Sequence, residues 1–326
     1  MSPSKTTTPL TVGYIGLGNA GYPMAANLPK AGFHLVVRDA DPARAARFAK
    51  EQPNSRVAAD GPSAFADVDV LITMLPNGKV VRDVLLGEGG VARGLKPGAV
   101  VVDTSSSSPF DTRALGKDLK ELGVDLVDSP ITQTHLGAID FAGATLMIGA
   151  DEEGTIEKAM PVLKAMSKYQ FVMGKLGAGH LTKTLNNYTS VGSIIALCDS
   201  LVVGQKLGLD PQTLVDVFNV GTARNFSTAY SMRDEALPRS YASGYQLALL
   251  VKDVKIAREQ IEAAGLDSEL PRLSQKYLED ALAMVKPDAD HTECLKSWEK
   301  RAGVELKTSP KPKVRVAEEI WNPMGI

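Results

Sequence analysis

The chain has 326 residues, of which 44% are hydrophobic and 23% charged, which is ample for two ordinary globular cores. A formal net charge of −2 gives no electrostatic ground for a nucleic-acid or anionic-membrane partner, and no apolar run is long enough to span a bilayer. Cys198 and Cys294 lack a ligand spacing, which speaks against a zinc site and for a reducing compartment, and Met1 to Pro9 lacks the apolar centre of a secretory signal. A cytoplasmic protein without a structural metal is expected.

The first elements are read in Thr11 to Asp39. Val12, Tyr14 and Ile15 predict a buried strand. A glycine-rich turn follows, Gly16-Leu17-Gly18-Asn19-Ala20-Gly21. Met24, Ala25 and Leu28 then recur at helical spacing up to Gly32, and Leu35, Val36 and Val37 predict a second buried strand closed by Asp39. Strand, glycine turn, helix, strand and acidic residue is the order that a dinucleotide requires. Gly16 allows the tight turn, Gly18 lets the backbone approach a pyrophosphate, and Gly21 lets helix and strand pack closely. Gly16 to Gly21 are therefore candidate cofactor ligands. A carboxylate at Asp39 can accept from both ribose hydroxyls of NAD and would repel a 2′-phosphate. NAD is expected, with NADP kept possible by Arg38 and Arg44 nearby.

The alternation continues. Helices are predicted over Ala43–Glu51, Val80–Leu86, Phe110–Leu122 and Glu152–Met166. Strands are predicted over Val70–Met74, Ala99–Asp103, Val124–Asp128, Thr145–Ile148 and Gln170–Met173. Ser129 to Gly143 reads as irregular. This is an α/β Rossmann-type domain with a mostly parallel sheet covered on both faces, over residues 10–176. Ligands sit at the carboxyl ends of such strands, which brings Gly16–Gly21, Leu75–Asn77, Ser105–Ser106 and Ser129–Thr134 to one edge.

At Gly174-Lys175-Leu176-Gly177-Ala178-Gly179 the pattern changes. Leu181 to Lys206 predicts one helix, on the order of 40 Å long at 1.5 Å per residue. Only helical patterns follow: Gln212–Val220, Phe226–Asp234, Leu247–Ala264, Pro271–Ala283 and Glu293–Ala302, separated at Gly208, Gly221, Gly265 and Pro287. Residues 177–307 thus read as an all-α domain for substrate and oligomer contacts, joined by the long helix, and 308–326 as a tail. The long helix and apolar helical faces predict a homodimer or homotetramer.

Four stretches together resemble the β-hydroxyacid dehydrogenases, the family of 3-hydroxyisobutyrate dehydrogenase and tartronate semialdehyde reductase, with 6-phosphogluconate dehydrogenase more distant. They are GLGNAGYPMAANL, Asp128-Ser129-Pro130-Ile131-Thr132, GAGHLTKTLNN from Gly177 to Asn187, and Lys252-Asp253-Val254. The resemblance runs from about Thr11 to Ala302. The chain departs from the family where Ser-Gly-Gly is usual, carrying Thr132-Gln133-Thr134 with His135 beside it. Gln133 and Thr134 fill space that glycine leaves open, so the substrate head group is where this chain is expected to differ.

The resemblance implies a hydride transfer between a nicotinamide cofactor and a small 3-hydroxyacid/semialdehyde pair. It makes Lys183 the general acid/base, with Asn187 four residues on and one turn away on the same helix face. Asn187 would hold the lysine ammonium or the substrate carbonyl. In oxidation Lys183 must first be neutral, so its site has to lower a value of about 10.4. The resemblance further implies Thr132, Gln133 and Thr134 at the substrate, Ser106 and Lys252 at the nicotinamide end, and Leu75-Pro76 near the adenosine side. Lys252 could instead be a helix-surface lysine paired with Asp253 or a neighbour. An imine or other carbonyl reductase and a non-catalytic dinucleotide-binding module are the alternatives. Both usually lack the lysine that this chain keeps.

Overall fold

Strand pairing begins at the glycine turn's own strand, β1 (Thr11–Ile15), which lies between β2 (His34–Arg38) and β4 (Val70–Thr73). This is a computed structural model that describes residues 10–133 and 144–308. The contacts divide into two units, and the division falls inside a helix, between Thr184 and Leu185.

In the first unit one sheet holds β1, β2, β3 (Ser55–Val57), β4, β5 (Val100–Asp103), β6 (Asp125–Asp128), β7 (Ile131–Gln133), β8 (Ala144–Gly149) and β9 (Tyr169–Gly174). The order is β3-β2-β1-β4-β5-β6-β8-β7, with β9 on β8. Every pair from β3 to β6 is parallel, while β8 runs antiparallel to β6 and β7. Val70–Ile72 of β4 and Val100–Val102 of β5 are unbroken Val/Ile/Leu runs because both faces are covered. Alternation sends Val12, Tyr14, Ile72 and Val102 to one core and Ile15, Val36, Leu71 and Val101 to the other. Each such side chain contributes roughly 1.5–3 kcal/mol on full burial.

The helix expected after the glycine turn is two short pieces, α1 (Gly21–Ala25) and α2 (Asn27–Lys30), broken at Ala26. Pro29 explains the break: it has no N–H for the carbonyl of Ala25 and its ring crowds that carbonyl. The following helices start where the sequence supplies caps. Asp41 accepts from Ala43 N–H ahead of α3 (Pro42–Glu51), Asn77 from Val80 N–H ahead of α4 (Gly78–Leu86), and Ser108 from Phe110 N–H ahead of α5 (Pro109–Glu121). Helix α6 (Glu153–Met166) lies between β8 and β9.

The segment read as irregular after Asp128 is corrected over Ile131–Gln133, which pairs with β8 in the same register as Asp128 with Gly149. Strands β6 and β7 therefore follow one line along β8, interrupted at Ser129-Pro130. Pro130 has no N–H to give but its carbonyl accepts from Met147 N–H at 3.2 Å, while Ser129 N–H still bonds the Asp103 carbonyl of β5 at 2.8 Å. Thr134 and His135 lie outside the described residues.

The long helix, α7 (Ala178–Lys206), begins three residues before the expected Leu181 and spans about 43 Å. Asp128 sets that start, accepting the backbone N–H groups of Gly177 and His180 at 2.7 Å each. The second unit continues with α8 (Pro211–Val220), a π-helical turn over Ser227–Ala236, α9 (Leu247–Ala263), α10 (Leu270–Leu282) and α11 (Leu295–Ala302). Its regular elements are all helical, and among its described residues the β pairing is a single antiparallel bridge between Gln246 and Asp290. Its core gathers Val191, Cys198 and Leu201 of α7 with Leu250, Leu278 and Trp298.

Candidate active site

The glycine turn is held by Asp39. Its Oδ2 accepts Leu17 N–H at 2.6 Å and its Oδ1 accepts Asp41 N–H at 2.9 Å, with Arg44 Nη1 at 3.4 Å from Oδ1. Each oxygen keeps acceptor capacity for a ribose hydroxyl. Leu17 is thereby an anchor: its N–H is bonded to Asp39 and its side chain is buried. Gly16 has φ +103°, and a Cβ there would stand 2.2 Å from the Met74 carbonyl oxygen. A Cβ on Gly21 would meet the Gly16 carbonyl at 2.0 Å, whereas around Gly18 the space is open to 4 Å. Two glycines are thus required by the turn itself, and the third faces room for a ligand. Asn19 is exposed and Ala20 half-buried beside it. These residues fit a dinucleotide pyrophosphate.

The loops after β4 and β5 are tied together. Ser105 Oγ accepts Leu75 N–H at 2.9 Å, and the buried Asp103 carboxylate takes Thr73 Oγ1–H at 2.9 Å, Ser105 N–H at 3.0 Å and Ser107 Oγ–H at 3.3 Å. This network presents half-buried Leu75 and Ser106 and exposed Pro76 from one edge of the sheet. Thr132 sits mid-way along β7 opposite Thr145 and is half-buried; Gln133 follows it opposite Ala144.

Lys183 and Asn187 are both on α7, one turn apart, Lys183 half-buried and Asn187 buried. Within the second unit Asn187 Nδ2 donates to Asp253 Oδ2 at 2.6 Å, and Asn186 Nδ2 donates to Asn187 Oδ1 at 3.1 Å. Tyr245 Oη donates to the same Asp253 oxygen at 2.7 Å, and Lys252 Nζ stands 3.3 Å from Asp253 Oδ1. The pairing of Lys252 with Asp253 is thus present, and it places Lys252 in contact with the carboxylate that orients Asn187.

Sequence reasoning gave no role to Tyr245 or His180, and read Asp253 as part of the Lys252-Asp253-Val254 stretch and as a partner for Lys252. Burial, then the Asp253 charge, holds the Tyr245 phenol well above its ordinary range. Burial likewise raises the Asp128 carboxyl, opposed by His180 and the two N–H groups that it caps. The available signal for His180 was its place in the stretch GAGHLTKTLNN, three residues before Lys183. Among the described residues no group of three or more acidic, Cys or His side chains is arranged to hold a metal ion, and no helix is long and apolar enough to cross a membrane.

The family model for the NAD-binding domain of 6-phosphogluconate dehydrogenase matches residues 11–174. The model for the NAD-binding part of NADP-dependent 3-hydroxyisobutyrate dehydrogenase matches residues 177–298. The chain is 31% identical to 2-(hydroxymethyl)glutarate dehydrogenase of Eubacterium barkeri over 91% of this chain and 97% of that protein. The chain belongs to the β-hydroxyacid dehydrogenase family. It is also 31% identical to 3-sulfolactaldehyde reductase of Escherichia coli, over 91% of this chain and 98% of that one. The 3-hydroxyisobutyrate dehydrogenase of Mycobacterium tuberculosis, solved with L-serine, shares the fold at a TM-score of 0.76 and 29% identity, covering 89% of this chain and 99% of that structure. As a β-hydroxyacid dehydrogenase the chain is an NAD(P)-dependent oxidoreductase of small hydroxyacid/semialdehyde pairs.

Proposed function

We propose that Lys183 is the general acid/base of this dehydrogenase, with NAD as the preferred cofactor and a short 3-hydroxyacid as substrate. The observation that carries it is the pairing on α7 of a half-buried Lys183 with an Asn187 whose amide is fixed one turn away. In oxidation, neutral Lys183 Nζ takes the hydroxyl proton as the carbinol C–H bond breaks and the C=O bond forms. Bound NAD supplies the hydride acceptor. In reduction the Lys183 ammonium stabilises the developing alkoxide and returns that proton. A carboxylate can only accept, so Asn187 presents Nδ2 to Asp253 and Oδ1 to its other side. This favours Asn187 as an acceptor that steadies the lysine ammonium over a donor to the substrate carbonyl.

Gly18, Asn19, Ala20 and Gly21 would hold the pyrophosphate, Asp39 the adenosine ribose, Leu75 and Pro76 the adenosine side, and Ser106 and Lys252 the nicotinamide end. Thr132, Gln133 and Thr134 would meet the acid head group. The relatives named for 3-hydroxyisobutyrate, 2-(hydroxymethyl)glutarate and 3-sulfolactaldehyde define the panel to assay. Exposed apolar residues on the helical unit, Val203, Leu207, Val217 and Val220, support a homodimer or homotetramer, which light scattering would read.

The test is kcat on the best panel substrate beside NADH titration for wild type, Lys183→Ala and Lys183→Arg. NADH affinity should hold while turnover falls by roughly a hundredfold or more in both, since guanidinium stays protonated and cannot serve as base. A Lys183→Ala variant with wild-type turnover would sink the mechanism.

A further inference from the structure

His180 is fully buried, and both ring nitrogens are occupied. Nε2 lies 3.0 Å from the Ser105 carbonyl oxygen, which can only accept, so Nε2 carries a proton. Nδ1 lies 2.7 Å from Thr112 Oγ1, a hydroxyl that also reaches the Ser108 carbonyl at 2.9 Å. The backbone N–H of His180 is one of the two groups capped by Asp128. The ring stands between two buried carboxylates, Nε2 3.8 Å from Asp103 Oδ2 and Nδ1 3.8 Å from Asp128 Oδ2. One side chain therefore joins the first turn of α7, the first turn of α5 and the loop after β5.

The position matters because of its neighbours. Lys183 follows one turn later on α7, and Ser106 follows directly on the carbonyl that His180 holds. A side chain bonded to both segments fixes the distance from the proton donor to the loop at the nicotinamide end. Misplacement of reacting groups by an ångström can lower a rate by about a hundredfold without changing any group that reacts.

We propose that His180 is a positioning residue, cross-linking the Lys183 helix to the Ser105–Ser106 loop through its Nε2–H donor. This rests on the assignment of Lys183 as acid/base and of Ser106 to the nicotinamide end. The ring has no exposed surface and both its nitrogens are occupied within the protein, so its removal acts on the chemical step, with cofactor affinity retained.

The experiment compares His180→Phe, His180→Gln and His180→Asn with wild type and Lys183→Ala. It measures NADH dissociation by fluorescence, KM and kcat for NAD-linked oxidation of the best hydroxyacid of the panel, and the primary isotope effect with that substrate deuterated at its carbinol carbon. A glutamine amide nitrogen reaches the Nε2 position, whereas that of asparagine stops near Nδ1. Phe and Asn should lower kcat about tenfold or more with NADH affinity within about threefold, and raise the isotope effect as hydride transfer becomes limiting. Gln should restore kcat to within about threefold of wild type. Equal losses in Gln and Asn, or a loss seen in NADH affinity alone, would overturn the proposal. The Gln and Asn arms decide it even where Phe fails to fold. Inactive Lys183→Ala with fully active Phe and Asn variants removes His180 alone, whereas active Lys183→Ala removes the acid/base assignment beneath it.

Discussion

Asn187 Nδ2 donates at 2.6 Å to Oδ2 of Asp253, a carboxylate with no exposed surface. Tyr245 Oη donates to the same oxygen, so one buried charge organises two donors. Such a charge is stable only while its donors remain, and the donors are costly once it is gone. Asp253→Ala should lose about 1–3 kcal/mol of stability from the stranded Tyr245 and Asn187 groups. It should also lower kcat, because the Asn187 amide is then free to turn. Tyr245→Phe removes one donor and leaves the other, so about 1 kcal/mol is expected. Urea unfolding of the three proteins, with kcat beside it, reads both effects. An Asp253→Ala protein as stable and as active as wild type would refute this account.

The glycine turn separates a glycine needed for folding from one needed for binding. At Gly16 the backbone is left-handed and a Cβ would strike the Met74 carbonyl, so Gly16→Ala should cost more than about 1 kcal/mol and spoil NADH binding with it. At Gly18 a Cβ meets nothing within 4 Å. Gly18→Ala should therefore keep its melting temperature and lose NADH affinity, because the methyl occupies the space a pyrophosphate needs. Thermal melts and fluorescence titrations on both variants check the contrast; equal loss of stability would refute it.

Stability should fall on mild acidification through His291. Burial lowers its pKa below the ordinary histidine value, against the pull of Asp290. In the window from the unfolded value of about 6.5 down to that depressed value, the unfolded chain binds a proton that the folded chain does not. Stability from this group is complete above about 6.5 and is lost as pH falls, at up to about 1.4 kcal/mol per pH unit. Burial alone would raise the Asp290 carboxyl, but bonds from Thr292 and Ser243 bring it below its usual range, so its contribution is lost only at lower pH. Urea midpoints at pH 7.5, 6.5 and 5.5 should drop more steeply in wild type than in His291→Gln. Parallel curves would remove His291 as the cause.

The parts that were legible in the sequence are those whose signal is local. The run Val70–Ile72 is apolar because both faces are covered, and the helices Pro42–Glu51, Gly78–Leu86 and Pro109–Glu121 lie close to the ranges read from Ala43–Glu51, Val80–Leu86 and Phe110–Leu122. Strand β7 was not legible: Ile131–Gln133 is three residues long and is a strand only because β8 lies beside it. The polar edge strand Ser55–Val57 escaped for the same reason. The break at Ala26 was readable in principle from Pro29. Lys183 and Asn187 stood out through one motif, but the groups that orient them are distant in the chain. Asp253 reaches Asn187 across 66 residues and His180 reaches the Ser105 carbonyl across 75, and no spacing rule connects such pairs.

Cofactor choice is the remaining test, and Asp39 has two roles in it. Its charge would oppose a 2′-phosphate by a few kcal/mol at short range, and its Oδ2 holds the Leu17 N–H of the glycine turn. Asp39→Ala removes both, so it should weaken NADH and leave NADPH little improved, the loosened turn cancelling the relief of repulsion. Asp39→Asn keeps an acceptor for Leu17 and removes the charge, at the cost of the bond from Asp41 N–H, which then faces the new NH2. It should lower the melting temperature less than Asp39→Ala does and shift kcat/KM toward NADPH by tenfold or more, about 1.4 kcal/mol. Arg44, 3.4 Å from Asp39 Oδ1 and half exposed, is the cation placed to meet a 2′-phosphate once that charge is gone. Arg44→Ala in the Asp39→Asn background should therefore reverse much of the gain. The measurement is kcat/KM with NADH and NADPH for the wild type, the single variants and the double variant. A wild-type enzyme that works better with NADPH than with NADH would show that Asp39 does not select the cofactor.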